Sequence, residues 1–292
     1  MTSYTTRIVC IVIAMIASPL AAQDIPDAAI IGGRSTYIVK SGDTMAAIAA
    51  RHAVEPRSIV PPNGLKPSQK LVAGQIVEFD NSHIATGDPG VAITINVPQR
   101  LLFLRDGGSV RAYPITVGTR AWRTPLGEFT IVDKETDPFW DVPVSIQREM
   151  EREGKPVITQ MPPSPENPLG AYWLRLSFPG IGIHGTNAPE TIYRFASHGC
   201  IRMHPDDVAA LFDNVAVGTR GVIVYQPIIM AVMDGRIWLE AHRDVYALAP
   251  DRFRYVRAVA EHHGLSDSMD WAAVNRVLIA LDGRAEDVTS RD

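Results

Sequence analysis

The sequence predicts a mainly β central domain, a sandwich or partial barrel of mostly antiparallel strands, with a small βααβ module before it and an α+β extension after it. Three observations carry that prediction. Between residues 91 and 227, short runs of β-branched and aromatic residues alternate with tight turns. Ahead of them, two strand signals flank an amphipathic helix start within residues 36–80. Beyond residue 227 the texture changes to one hairpin signal and two helical periodicities.

The chain has 292 residues, 46% hydrophobic and 21% charged, enough for two or three domains each with its own core. A net charge of −4 gives no reason to expect nucleic acid as a partner. Arg7, the apolar run Ile8 to Ile16 and the small residues of Ser18 to Ala22 read as a secretory signal peptide over residues 1–22. That run is too short to span a bilayer, so no membrane span is expected after its removal. Cys10 leaves with it, and Cys200 remains as the one cysteine. A lone thiol in an exported protein has no disulfide partner, which points to reactivity or to burial.

Residues 23–35, rich in Ala, Gly, Asp and Pro, read as a linker. Residues 36–80 form the first module: a strand at Tyr37, a helix from Met45 to His52 capped by Thr44, and a strand ending at Phe79. Pro61 and Pro62 fall where a second helix finishes, so that helix is expected to be short. Residues 81–90, with Gly87-Asp88-Pro89-Gly90, read as a second linker. The central domain then takes strands from Ala92 to Val97, Leu101 to Arg105, Val110 to Val117, Gly127 to Val132, Ala171 to Phe178, Gly182 to His184 and Val222 to Tyr225. A proline-rich insertion from Pro138 to Pro168, around a helix-like piece at Ile146 to Gly154, interrupts them and is a candidate lid. A helix follows from His204 to Asn214, with Pro205 in its first turn and Asp206 and Asp207 near its positive end. Residues 228–292 take a hairpin around Asp234-Gly235 and helices near 250–263 and 270–281.

Chemistry concentrates between Ile181 and Met203. Cys200 lies two residues after His198 and sixteen after His184, and both histidines adjoin glycines, Gly199 and Gly185. These are a nucleophile, two candidate bases and backbone amides free to approach a developing oxyanion. Spacing alone leaves the choice of base open. Zinc also accepts His184, His198, Cys200 and His204, but the usual paired-ligand spacing is missing, so neither a metal nor a cofactor is expected.

The segment His184 to Ser197-His198-Gly199-Cys200-Ile201-Arg202 resembles the signature of the L,D-transpeptidase (YkuD) family. Tyr37-Ile-Val-Lys-Ser-Gly42-Asp43-Thr44 with Leu71-Val-Ala-Gly74-Gln75 resembles a LysM module. The first resemblance implies a peptidoglycan transpeptidase with Cys200 as nucleophile and His184 as general acid and base. It implies His198 beside the acyl group and the amides of Gly199 and Cys200 as oxyanion donors. Ser197, Gly185 and Arg202 are then substrate contacts, with Arg202 holding a stem carboxylate or else pairing with Asp206 or Asp207. The two resemblances together imply a periplasmic enzyme with peptidoglycan stems and glycan strands as partners. An outer-membrane lipoprotein is a further candidate acceptor. Alternatives are an L,D-carboxypeptidase with water as acceptor, a non-catalytic wall-binding protein and a thiol protease.

Overall fold

The computed structural model describes residues 29–59, 62–66, 69–88 and 90–291, so the expected signal peptide lies outside the described residues. The central sheet curls until its ends meet. The ten-residue strand Ser109–Gly118 pairs through its first half with Leu101–Asp106 and through its second half with Ile201–Met203. From there the ring continues through Gly182–His184, Tyr172–Leu176, Gly127–Thr136, Arg220–Val224 and Ile93–Asn96, back to Leu101–Asp106. Closure leaves neither end of this ring as an open edge. Three pairings are parallel, and one of them sets Gly182–His184 beside Ile201–Met203. Inside sit Ile95, Leu102, Ile115, Ile131, Leu174, Ile183 and Ile201. The Pro205–Asn214 helix adds Val208 and Leu211 to that core.

The first module has a two-stranded sheet, Arg34–Ile38 with Ile76–Asp80 in antiparallel register, and helices Met45–Arg51 and Pro56–Ile59. The four-residue second helix agrees with the proline-limited length expected there. Thr44 accepts the Ala47 amide at the head of the first helix, as its sequence position suggests. Arg51 to Asp207 at 2.6 Å and Arg100 to Glu55 at 2.7 Å fasten the module to the barrel. Ala50, Ala53, Leu101, Phe103, Ile192 and Tyr193 share the apolar seam between them.

The C-terminal segment pairs strands Ile228–Met233 and Arg236–Ala241 as a hairpin and lays helices Arg252–His262 and Trp271–Ala280 against it. The connection at 81–90, read as a linker, is a buried one: His83, Ile84, Ala85 and Thr86 are each at most 3% exposed. Its His83–Ile84 strand pairs with Ile30–Ile31, and Ile84 packs against Ile229 and Ala231. What makes this burial tolerable is Glu240, itself fully buried. Its carboxylate accepts from His83 Nδ1 at 2.8 Å, His242 Nε2 at 2.8 Å, Gln99 Nε2 at 3.0 Å and the Ile84 amide at 2.6 Å. The other nitrogen of His83 meets the Ala53 carbonyl at 2.9 Å. Both ring nitrogens face acceptors, so both donate, and the ring is the cation.

Burial alone would push His83 down and Glu240 up. Their mutual attraction and hydrogen bonds reverse both, raising His83 and holding Glu240 at about 2. Because His83 is raised, its contribution is complete below its unfolded value, about pH 6.5. It is lost as pH climbs through the folded value. Glu240→Gln is expected to lose about 3–5 kcal/mol in urea unfolding at mildly acidic pH. The gap to wild type should narrow toward alkaline pH; a gap that did not change with pH would show that the charge on His83 is not what Glu240 holds.

Candidate active site

Strand pairing, not sequence proximity, assembles the site. In the parallel ladder His184 stands opposite Arg202, and on the other side of its strand it stands opposite Trp173. Partners at one register point to one face, and alternation puts Cys200 on the face of Arg202. The sixteen-residue gap between His184 and Cys200 is thus closed by two adjacent strands. Trp173 stacks near His184 with ring centroids 5.6 Å apart, and it covers Gly182 so closely that a Cβ there would lie 2.4 Å from the indole. Only glycine fits at 182.

Cys200 ends a turn that only glycine can make. Gly199 has φ +108°, and a Cβ on it would come within 3.1 Å of Ile181 and 3.3 Å of the Arg123 carbonyl. Ser197 ties this turn from inside: its hydroxyl accepts the Gly199 amide at 3.1 Å and donates to the Cys200 carbonyl at 2.5 Å. The Gly199 amide, expected as an oxyanion donor, is therefore already engaged. Ser197 is 1% exposed, and its hydroxyl braces the loop. Gly185 lies behind the site, where a Cβ would press on the Leu169 carbonyl at 3.2 Å.

The thiol of Cys200 donates to the Gly180 carbonyl at 3.6 Å, and among the described residues no hydrogen bond joins it to His184. Burial pushes the thiol up, while the Gly182 amide and the Arg202 guanidinium pull it back, so the resting group is the protonated thiol. His184 is driven the other way. Burial, then the charge of Arg202, lower it to about 3, against the opposing carbonyls of Gly185, Leu169 and Pro168. None of those carbonyls is placed to bond Nδ1, which is buried without a partner. The imidazole is neutral across the physiological range and can accept a proton. Arg202 is itself lowered by burial, with its Nε unpartnered; neither Asp206 nor Asp207 pairs with it, since Asp207 holds Arg51 and Asp206 lies beside His204.

His198 follows the strand Phe195–Ser197 at the head of the cysteine loop. Its Nε2 is 2.9 Å from Glu149 on the Val144–Arg152 helix, and Trp122 lies against its other side at 5.2 Å. Residues 138–168 are thereby tied to the cysteine loop. The insertion is internally braced as well: Trp140–Asp141 pairs with Gln160–Met161, and buried Asn167 donates to the Pro138 carbonyl at 2.9 Å. His204 caps its own helix by accepting the Asp206 amide. Among the described residues no three His, Cys, Asp or Glu side chains converge as a metal site.

Thr124, Trp122, Trp173 and Glu149 are site residues that sequence reasoning passed over. Only Thr124 carried a signal, since Thr124-Pro125-Leu126-Gly127 opens a strand with turn residues. Its hydroxyl donates to the Gly199 carbonyl at 3.0 Å and accepts the Gly118 amide at 2.9 Å.

Comparison with known proteins identifies two domains. Residues 90–224 match the L,D-transpeptidase catalytic domain and residues 37–78 match the LysM domain. The probable L,D-transpeptidase ErfK/SrfK of Salmonella typhimurium is 33% identical over 211 residues, 68% of this chain and 67% of that protein. The putative L,D-transpeptidase YkuD of Bacillus licheniformis is 36% identical, over 63% of this chain and 95% of that protein. Its counterpart in Bacillus subtilis is 33% identical, over 64% and 98%. With a catalytic-domain match around the site and two Bacillus relatives aligned over nearly their whole length, the chain belongs to the L,D-transpeptidase family.

Proposed function

We propose that the protein forms a thioester between Cys200 and the third residue of a peptidoglycan tetrapeptide stem, releases the terminal D-alanine, and passes the stem to an amine. The observation that supports this reading is the register of His184 opposite Arg202 on two neighbouring strands, with Cys200 the residue that leads into the second. The LysM and transpeptidase domains imply peptidoglycan binding. An amine from a second stem gives a 3→3 cross-link, an amine from an outer-membrane lipoprotein attaches that protein to the wall, and water gives L,D-carboxypeptidase activity. The enzyme works in the periplasm, delivered there by the signal peptide. No helix among the described residues is long and apolar enough to cross a membrane.

The proton must move with the acyl group because the thiol starts protonated. As the S–C bond forms, the thiol proton passes to neutral His184. His184 returns it to the nitrogen of the departing D-alanine as the C–N bond breaks. The acceptor amine repeats the cycle in reverse. Arg202 favours the thiolate of Cys200, and its unpartnered Nε is suited to a substrate carboxylate. Gly185 and Ser197 act through the shape of the floor rather than by free donors. His198 and Glu149 hold the 138–168 insertion as a lid beside the cleft, and no cofactor takes part.

Incubation with disaccharide-tetrapeptide tests the reaction itself. Wild type should release D-alanine and carry a stem adduct on Cys200, while Cys200→Ala does neither; glycan binding without adduct would leave a wall-binding protein. Dimers, hydrolysed tripeptide or protein conjugates among the products would identify the acceptor. A neutral His184 sets the pH profile: since its folded value is lowered to about 3, acylation should not fall between about pH 8 and pH 5. A break near 6.5, where an ordinary histidine titrates, would contradict it. For the lid, Glu149→Gln should raise KM by up to about fivefold, the worth of a partly exposed polar contact, without changing acylation by a small activated ester. An unchanged KM would remove the insertion from substrate binding.

A further inference from the structure

The mechanism above makes no use of the C-terminal segment, yet that segment adds a residue to the barrel's hydrophobic core. Tyr246 is 1% exposed and belongs to the same core as Ile183 and Ile201. Its hydroxyl donates to the Gly118 carbonyl at 2.8 Å and accepts the Thr124 amide at 3.0 Å. Thr124 in turn bonds the Gly118 amide and the Gly199 carbonyl. The strap around Tyr246 is fixed from outside: its amide donates to the Tyr225 hydroxyl at 2.7 Å, its carbonyl accepts from Arg123 at 3.0 Å, and its ring stacks on Tyr225 at 5.1 Å.

We infer that Tyr246 is a positioning residue of the active site, aiming the Cys200 amide through Thr124 and the Gly199 carbonyl. The inference rests on the acyl-transfer reading. The Gly199 carbonyl and the Cys200 N–H belong to one planar peptide unit and point to opposite sides of it. Holding the carbonyl on Thr124 therefore fixes the direction of the N–H, while the Gly199 amide stays engaged by Ser197. A negative charge developing on an attacked carbonyl is stabilised only by a donor already aimed at it. The same relay engages both polar groups of Gly118, so the 118–124 turn has no freedom to release Thr124. The C-terminal module is, on this view, a structural part of the catalytic centre.

The test separates reactions that build an oxyanion from one that does not. Acylation by p-nitrophenyl acetate or by a carbapenem passes through a tetrahedral oxyanion, whereas alkylation by iodoacetamide reads only the thiol. Tyr246→Phe keeps the ring and removes both hydroxyl bonds. It should slow acylation by about tenfold or more, the scale of a misaimed donor, and leave alkylation within about twofold. Thr124→Val should do the same, and the double variant should lose little more than the worse single, because both break one relay. Val274→Ala, in the separate core of the C-terminal helices, provides a matched loss of stability with acylation unchanged. Acylation at the wild-type rate in both Tyr246→Phe and Thr124→Val would overturn the positioning role, and so would a parallel fall in alkylation. A wild type that neither probe acylates removes the acyl-transfer reading itself, and the positioning role with it.

Discussion

A buried carboxylate decides how the modules of this chain sit together. Taking Glu240 out of water costs several kcal/mol unless its oxygens are satisfied, and its partners come from the 81–90 connection, the barrel and the C-terminal hairpin. The Ala53 carbonyl of the first module completes the set through His83. Remove any one segment and a charge or a donor is left buried without its partner. The LysM module is consequently not a domain on a flexible leash. Arg51 on Asp207 and Arg100 on Glu55 hold it in a fixed orientation against the barrel, so the module and Cys200 stand in a defined spatial relation.

At the catalytic centre a second conflict of charge and burial is resolved differently. Arg202 is the half-buried cation beside Cys200 and His184, and it favours deprotonation of one and opposes protonation of the other. Burial outweighs it at the cysteine and reinforces it at the histidine. The result is a neutral pair at rest rather than a thiolate facing an imidazolium. Such a pair carries no standing anion to be oxidised or alkylated. On the proposed reading, a substrate carboxylate paired with Arg202 would weaken that guanidinium's hold on His184 and make the imidazole a stronger base.

How much of this was legible from sequence follows the range of the interaction. The reactive segment could be read because His184, Ser197, His198, Gly199, Cys200 and Arg202 lie within one short stretch. The strands and the Pro205–Asn214 helix could be read because alternation and caps are local signals. Ring closure could not, since it depends on one strand, Ser109–Gly118, dividing its pairing between two neighbours. The direction of His198 was equally hidden, because its partner Glu149 sits in an insertion whose packing leaves no periodic signature. Residues 81–90 carry the composition of a linker, and only Glu240, 157 positions from His83, turns them inward.

Tyr246 belongs to the same hidden class, and its place explains why the barrel alone is not the whole enzyme. A turn holding a glycine at φ +108° is strained for any other residue and has few internal bonds to fix it. Ser197 secures one side, the Gly199 amide and the Cys200 carbonyl, from within the motif. The other side, the Gly199 carbonyl, is secured by a hydroxyl from the 118–124 turn, and that turn is in turn secured by a phenol delivered from more than a hundred residues away. Preorganisation of a donor within a fraction of an ångström requires neighbours whose own positions are fixed by packing, and a buried ring stacked on Tyr225 meets that requirement where a loop side chain would not. The nucleophile's motif supplies the reacting atoms, and the C-terminal segment supplies the rigidity that lets them react.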